Sequence, residues 1–128
     1  MEKTIQIDGK QVRLKATAAL PLRYKAQFGR DFFADILKME PLVKKIRDKK
    51  REELTADDIN GLDMTIFYNL LWVMAKSADK SIPDPITWLD QFDDFPLEEI
   101  LSAVLELLNR LMASKKKHQP KKRPQRNG

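Results

Sequence analysis

The sequence predicts a mainly α domain of the α+β class, with a short N-terminal β-hairpin, a compact bundle of about five helices and a disordered basic C-terminal tail. Three observations carry that expectation. Period-two alternation flanks Asp8-Gly9, apolar residues recur at spacings of three and four between Leu20 and Met112, and residues 115–128 hold nothing able to anchor a core. A chain of 128 residues is the size of one domain, so a single core is expected over 1–114 with the tail at 115–128.

The hairpin follows from Thr4-Ile5-Gln6-Ile7 and Gln11-Val12-Arg13-Leu14 around Asp8-Gly9, a pair that tolerates the positive φ of a type I′ turn. That loop sets Ile7 opposite Lys10, Ile5 opposite Val12 and Leu14 opposite Lys3, with Ile5, Ile7, Val12 and Leu14 on one face. A lone hairpin is marginal in water, so this face requires cover. Leu20, Tyr24 and Phe28 then form a helical stripe, with Pro21 tolerable at its start and Gly29 as its stop. Asp31 can cap a further turn set bearing Phe32, Phe33, Ile36 and Leu37. Pro41 is expected to open a separate, exposed helical segment carrying Leu42, Val43 and Ile46.

Thr55-Ala56-Asp57-Asp58 resembles a capping box with acids in the first turn, and predicts a central core helix through Ile59, Leu62, Ile66, Phe67, Leu70, Leu71, Val73 and Met74. Gly61 within it costs about 1 kcal/mol relative to Ala. Asp84-Pro85 pairs a cap with Pro at the first helical position, so Ile86, Trp88, Leu89 and Phe92 fall on a short helix. Pro96 starts the last helix, whose stripe runs Leu97, Ile100, Leu101, Val104, Leu105, Leu108, Leu111 and Met112. The predicted core comprises Tyr24, Phe28, Phe33, Ile66, Phe67, Leu70, Leu71, Leu101, Val104, Leu105 and Leu108.

Charge is unevenly placed. Seven of the 24 basic residues, Lys115, Lys116, Lys117, Lys121, Lys122, Arg123 and Arg126, follow Ser114, which leaves 17 against 19 acidic ones and a body of net charge −2. The tail cannot bury enough surface to offset its ordering entropy. Cys is absent, which excludes disulfides, thiolate nucleophiles and cysteine zinc sites. No apolar run reaches the roughly 18 to 20 residues of a membrane span, and the start lacks an export signal, so a cytoplasmic location is expected.

Reactive chemistry finds no support in the residues. His118, the single histidine, lies between Lys117 and Gln119 in the tail with no rigid environment, and serves neither as base nor as metal ligand. Asp90, Asp93, Asp94, Glu98 and Glu99 form the densest acidic group, read as a helix junction favourable to the dipole rather than as a cation site. Gly9, Gly29, Gly61 and Gly128 show no phosphate-loop spacing. No enzyme, cofactor or metal is expected. Trp88, Phe92 and Phe95 are aromatic enough to anchor a partner, although core packing explains them better. The basic residues of the tail could neutralise phosphates, but no aromatic accompanies them for stacking on bases.

Several segments occur in a recognisable order. An Asp-Gly hairpin with Leu14-Lys15-Ala16-Thr17 precedes Leu22-Arg23-Tyr24 and Phe28-Gly29-Arg30-Asp31; Ile66-Phe67-Tyr68-Asn69-Leu70-Leu71-Trp72 and Trp88-Leu89-Asp90-Gln91-Phe92 follow. In that order and spacing, over residues 1–113, the chain resembles the tail assembly chaperones of long-tailed phages and prophages of Gram-positive bacteria. The resemblance implies a non-catalytic protein that coats the hydrophobic tape measure protein, keeps it soluble and helps tail tube subunits assemble around it. It implies many copies along one partner, with a homo-oligomer allowed, no membrane association, and absence from the mature virion. The expected partner-binding residues are Trp88, Leu89, Phe92, Leu101, Leu105, Leu108, Leu111 and Met112. The alternative is a small nucleic-acid-binding helical protein acting through Lys115, Lys116, Lys117, Lys121, Lys122, Arg123 and Arg126.

Such families commonly make a longer form by ribosomal frameshifting near the end of the short one, and Lys115-Lys116-Lys117 requires an adenine-rich run of codons. The nucleotide sequence is expected to hold a slippery heptamer there with an overlapping downstream frame. Codons without such a run would remove this expectation.

Overall fold

A computed structural model describes residues 1–48 and 63–117. The elements are β1 (Glu2–Ile7), β2 (Lys10–Lys15), α1 (Leu20–Phe28), α2 (Phe32–Asp48), α3 (Met64–Ala78), α4 (Pro85–Leu89) and α5 (Leu97–Lys117). An antiparallel two-stranded hairpin followed by five helices among the described residues is the fold that the sequence predicts.

The strands pair in the expected register, with Ile7 opposite Lys10, Ile5 opposite Val12 and Lys3 opposite Leu14. Asp8 at φ 54° and Gly9 at φ 75° form the type I′ turn, whose twist matches that of the strands. Ile7, Val12 and Leu14 are buried and Ile5 is partly so, making one apolar face of the hairpin.

α3 covers that face by packing across β2, while α1 and α5 pack against α3 and α5 also meets β1. Leu70, Leu71, Trp72, Val73, Met74 and Ala75 are all buried, so this stretch of α3 is enclosed on every side. Each large apolar side chain buried there contributes roughly 1.5–3 kcal/mol. α5 supplies Ile100, Leu101, Ala103, Val104, Leu105, Leu107 and Leu108 to the same core. No described helix is long and apolar enough to cross a membrane.

Helix ends obey local chemistry. Gly29 takes φ 68° and donates its N–H to the Lys25 carbonyl, closing α1 with the left-handed cap that glycine adopts without penalty. Asp31 accepts from Phe33 N–H at 2.9 Å and Ala34 N–H at 3.3 Å at the start of α2. Asp84 accepts from Thr87 N–H at 3.1 Å, with Pro85 at the first helical position of α4.

Five expectations need correction or bounds. Phe33, expected in the core, is 37% exposed; Phe32 occupies that site at 1%. Pro41 does not open a new segment, because α2 continues through it. The central helix starts at Met64, where Asp63 is extended and accepts from Thr65 N–H at 3.0 Å and Ile66 N–H at 3.3 Å. An extended residue cannot lie inside one helix running from Thr55 to Met74; the Thr55-Ala56-Asp57-Asp58 box, Ile59, Gly61 and Leu62 lie outside the described residues. Phe92 falls beyond α4, which ends at Leu89. Finally, α5 extends to Lys117, three residues past the boundary set at Ser114; the remaining tail, 118–128, and the side chains of Leu42, Val43 and Ile46 lie outside what is described.

The phase of α2 is testable by equilibrium denaturation. Phe32→Ala is expected to cost about 3–5 kcal/mol as a core cavity, and Phe33→Ala clearly less. Equal losses would contradict the assigned phase.

Candidate interaction surface

The residues proposed from sequence to meet a partner divide into two groups. Trp88, Leu101, Leu105 and Leu108 are buried in the body, so they act as core residues rather than as surface. The hairpin and α3 cover the greater part of the α5 stripe. Leu89, Phe92 and Leu111 are half-buried, and Met112 is exposed near the far end of α5. Trp88 meets Phe92 edge-to-face at 5.2 Å, which turns the indole inward and leaves the phenyl ring at the rim.

The most exposed large apolar side chains are others. Leu22 on α1, Leu37 on α2 and Ile86 on α4 are 75%, 64% and 73% exposed. Their signal in the sequence is being out of phase. Leu22 stands two residues from both Leu20 and Tyr24, and Ile86 two residues before Trp88, so neither can share its neighbour's buried face. These side chains are exposed singly, on three separate helices.

The acidic residues Asp90, Asp93, Asp94, Glu98 and Glu99 do not assemble a cation site: among the described residues, no three His, Asp or Glu side chains converge as ligands would. The Asp93 N–H instead donates to Asp8 Oδ2 at 3.1 Å, tying the α4–α5 connection to the hairpin turn. Lys115, Lys116 and Lys117 continue α5 as backbone. Their side chains, His118, Lys121, Lys122, Arg123 and Arg126 lie outside the described residues.

Sequence reasoning missed a buried polar cluster. Asp35 is 2% exposed, and its carboxylate accepts from the Tyr24 hydroxyl at 2.6 Å and from Arg30 Nε and Nη2 at 2.7 and 2.8 Å. The bidentate Arg30 contact holds the Asp35 carboxyl below the usual carboxylate range, opposed by burial and assisted by Tyr24. Burial pushes the Tyr24 hydroxyl well above the ordinary tyrosine range, and its bond to Asp35 adds to this. Arg30 is raised as well, chiefly by its bond to Asp35, so the ion pair persists at neutral pH. The three side chains lock α1 to α2 across the Gly29 turn. With tyrosine kept neutral and the carboxylate saturated by donors, this cluster offers no poised nucleophile or base. The pattern Tyr24, Arg30 and Asp35 has no periodic signature, and only an acid on an otherwise apolar face hints at it.

Side chains of Asp79, Trp72 and Lys76 stabilise the loop before α4. Asp79 is lowered by its bond from the Ser81 hydroxyl at 2.7 Å, with the Ser81 N–H at 3.0 Å. The Trp72 indole N–H donates to the Pro83 carbonyl at 2.8 Å, and Lys76 Nζ donates to the Lys80 and Ile82 carbonyls.

The cluster makes a pH prediction. Because the folded-state value of Asp35 lies below its unfolded value of about 4, its contribution is full above that pH and is lost as pH falls through the folded value. Asp35→Asn should cost about 2 kcal/mol at pH 7, less than a fully buried pair, because Arg30 is 43% exposed. It should also flatten the loss of stability below about pH 4. Denaturant titrations across that range check this, and unchanged acid sensitivity in the variant would refute it. Comparison with models of known protein families, with curated proteins and with solved structures finds no match to this chain.

Proposed function

We propose that this protein is a non-catalytic tail assembly chaperone of a long-tailed phage or prophage, which binds the tape measure protein, keeps it soluble and promotes assembly of the tail tube around it. The observation that carries the reading is the ordered resemblance over residues 1–113, from the Asp8-Gly9 hairpin through Phe28-Gly29-Arg30-Asp31 to Trp88-Leu89-Asp90-Gln91-Phe92. Physical support comes from Leu22, Leu37 and Ile86, apolar side chains that face water on three different helices. A coat protein needs distributed apolar contact with a long, greasy partner rather than a deep pocket. Under this reading several copies line one tape measure protein in the host cytoplasm and leave before the virion matures.

Co-expression tests it. The tape measure protein encoded beside this chain should be largely insoluble alone and soluble when both are made. The triple variant Leu22→Glu, Leu37→Glu and Ile86→Glu should fold, since surface changes cost within about 0.5 kcal/mol each, yet lose most of the solubilising effect. Insolubility persisting with the unaltered chain would overturn the proposal.

A further inference from the structure

The two-residue turn makes Ile7 and Lys10 a hydrogen-bonded pair, and the pattern then repeats at Ile5 with Val12 and Lys3 with Leu14. Met1 and Ala16 confirm that phase by exchanging both backbone bonds, at 3.1 and 2.9 Å. The N–H and C=O groups of Gln11 and Arg13 therefore point away from β1. Among the described residues, nothing hydrogen-bonds to these four backbone groups.

They open onto a cleft of about 300 Å³ between β2, the Asp79–Pro83 loop and the Trp88–Phe92 turn. Its floor is apolar: Val12, Ile82 and Trp88 are buried and Phe92 is partly so. Its two ends are cationic. Lys10 Nζ lies 3.5 Å from the Gln91 carbonyl and 5.7 Å from the Phe92 ring centre, and Arg13 donates to the Ala78 carbonyl at 2.8 Å. Both cations make only long, exposed ion pairs, Lys10 with Asp8 at 3.7 Å and Arg13 with Glu2 at 3.9 Å, which a stronger carboxylate contact can replace. Asp79 also lines the cleft, but Ser81 already engages its carboxylate.

We propose that the open edge of β2 binds an extended protein segment, which adds as a third strand, sets an apolar side chain on the Val12–Trp88 floor and presents carboxylates to Lys10 and Arg13. From Lys10 to Arg13 the edge spans roughly 10 Å, the length of about three strand residues, so the recognised segment is short. A second copy of β2 is a poor occupant. Antiparallel self-pairing would crowd Lys10, Arg13 and Lys15 of both copies along one seam, and lysine-rich edges are a recognised barrier to edge-to-edge association. Main-chain bonds give such strand addition its affinity, and the flanking charges and floor give it specificity. The inference concerns a mode of binding and stands independently of the tail-assembly reading.

The test uses the full-length protein and a fluorescein-labelled synthetic peptide alternating valine and threonine, with glutamate at both ends. Saturable binding is expected, with new hydrogen-exchange protection at the Gln11 and Arg13 amides and none added at Val12, already bonded to β1. N-methylating the peptide amides that face β2 should weaken binding about tenfold or more, as should replacing the terminal glutamates with lysine. The double variant Lys10→Glu, Arg13→Glu should invert the preference toward the lysine-ended peptide, a readout that a misfolded variant would not give. No binding at about 1 mM peptide, or affinity indifferent to N-methylation, would overturn the proposal. So would protection of Gln11 and Arg13 that grows with protein concentration alone, since a second copy would then fill the edge.

Discussion

Enclosing α3 is what organises the elements around it. With Leu70 through Ala75 all buried, this helix has no water-facing side along nearly two turns, and β2, α1, α4 and α5 each cover part of it. The hairpin cannot stand alone and supplies a small apolar face; α1 and α5 supply amphipathic ones. Aromatic contacts tie these covers together, with Phe28 meeting Trp72 edge-to-face at 5.8 Å and Tyr24 meeting Phe28 at 5.1 Å. A domain built around one enclosed helix has its apolar volume committed to packing. What it can show a partner is limited to side chains that fall out of phase.

Enclosure alone would not fix how α1 and α2 meet, because two short helices can slide. The Tyr24–Asp35–Arg30 cluster supplies direction that apolar packing lacks. A buried carboxylate accepts three donors with defined geometry, and any displacement of α2 along α1 would leave a charge without partners, at a cost of several kcal/mol. Gly29 makes the connection short enough for Arg30 to reach back, since its left-handed conformation turns the chain immediately after Phe28. The polar lock and the glycine cap are therefore one device.

Much of this was legible where chemistry is local. Asp8-Gly9 fixed the strand register, and Gly29, Asp31 and Asp84 marked helix ends, because each acts through its own backbone and nearest neighbours. Misreadings arose where two local answers were equally good. On α2, Phe32 with Ile36 and Phe33 with Leu37 share the same spacing, and Asp35 argues against the phase that the protein adopts until Tyr24 and Arg30 are known to meet it. Pro41 reads as a helix start, but in α2 its missing N–H spares only the carbonyl of Leu37, on an exposed side where water can serve. The capping-box pattern at Thr55 points to an earlier helix start than Asp63, the residue that caps α3, because such a pattern is local and does not say where the helix that packs begins.

The candidate surface was less legible than the fold, for a reason rooted in the same periodicity. A regular stripe such as Leu101, Leu105 and Leu108 advertises burial, but whether the cover comes from the same chain or another is decided by the remaining elements. Here the same chain provides it. Of the exposed apolar residues, Leu22 and Ile86 break the stripes and Leu37 belongs to the stripe that α2 does not bury, while the open backbone of Gln11 and Arg13 carries no side-chain signature at all. In a small protein with an enclosed core, what periodic analysis discards is what stays accessible: the off-phase side chain and the unpaired strand edge.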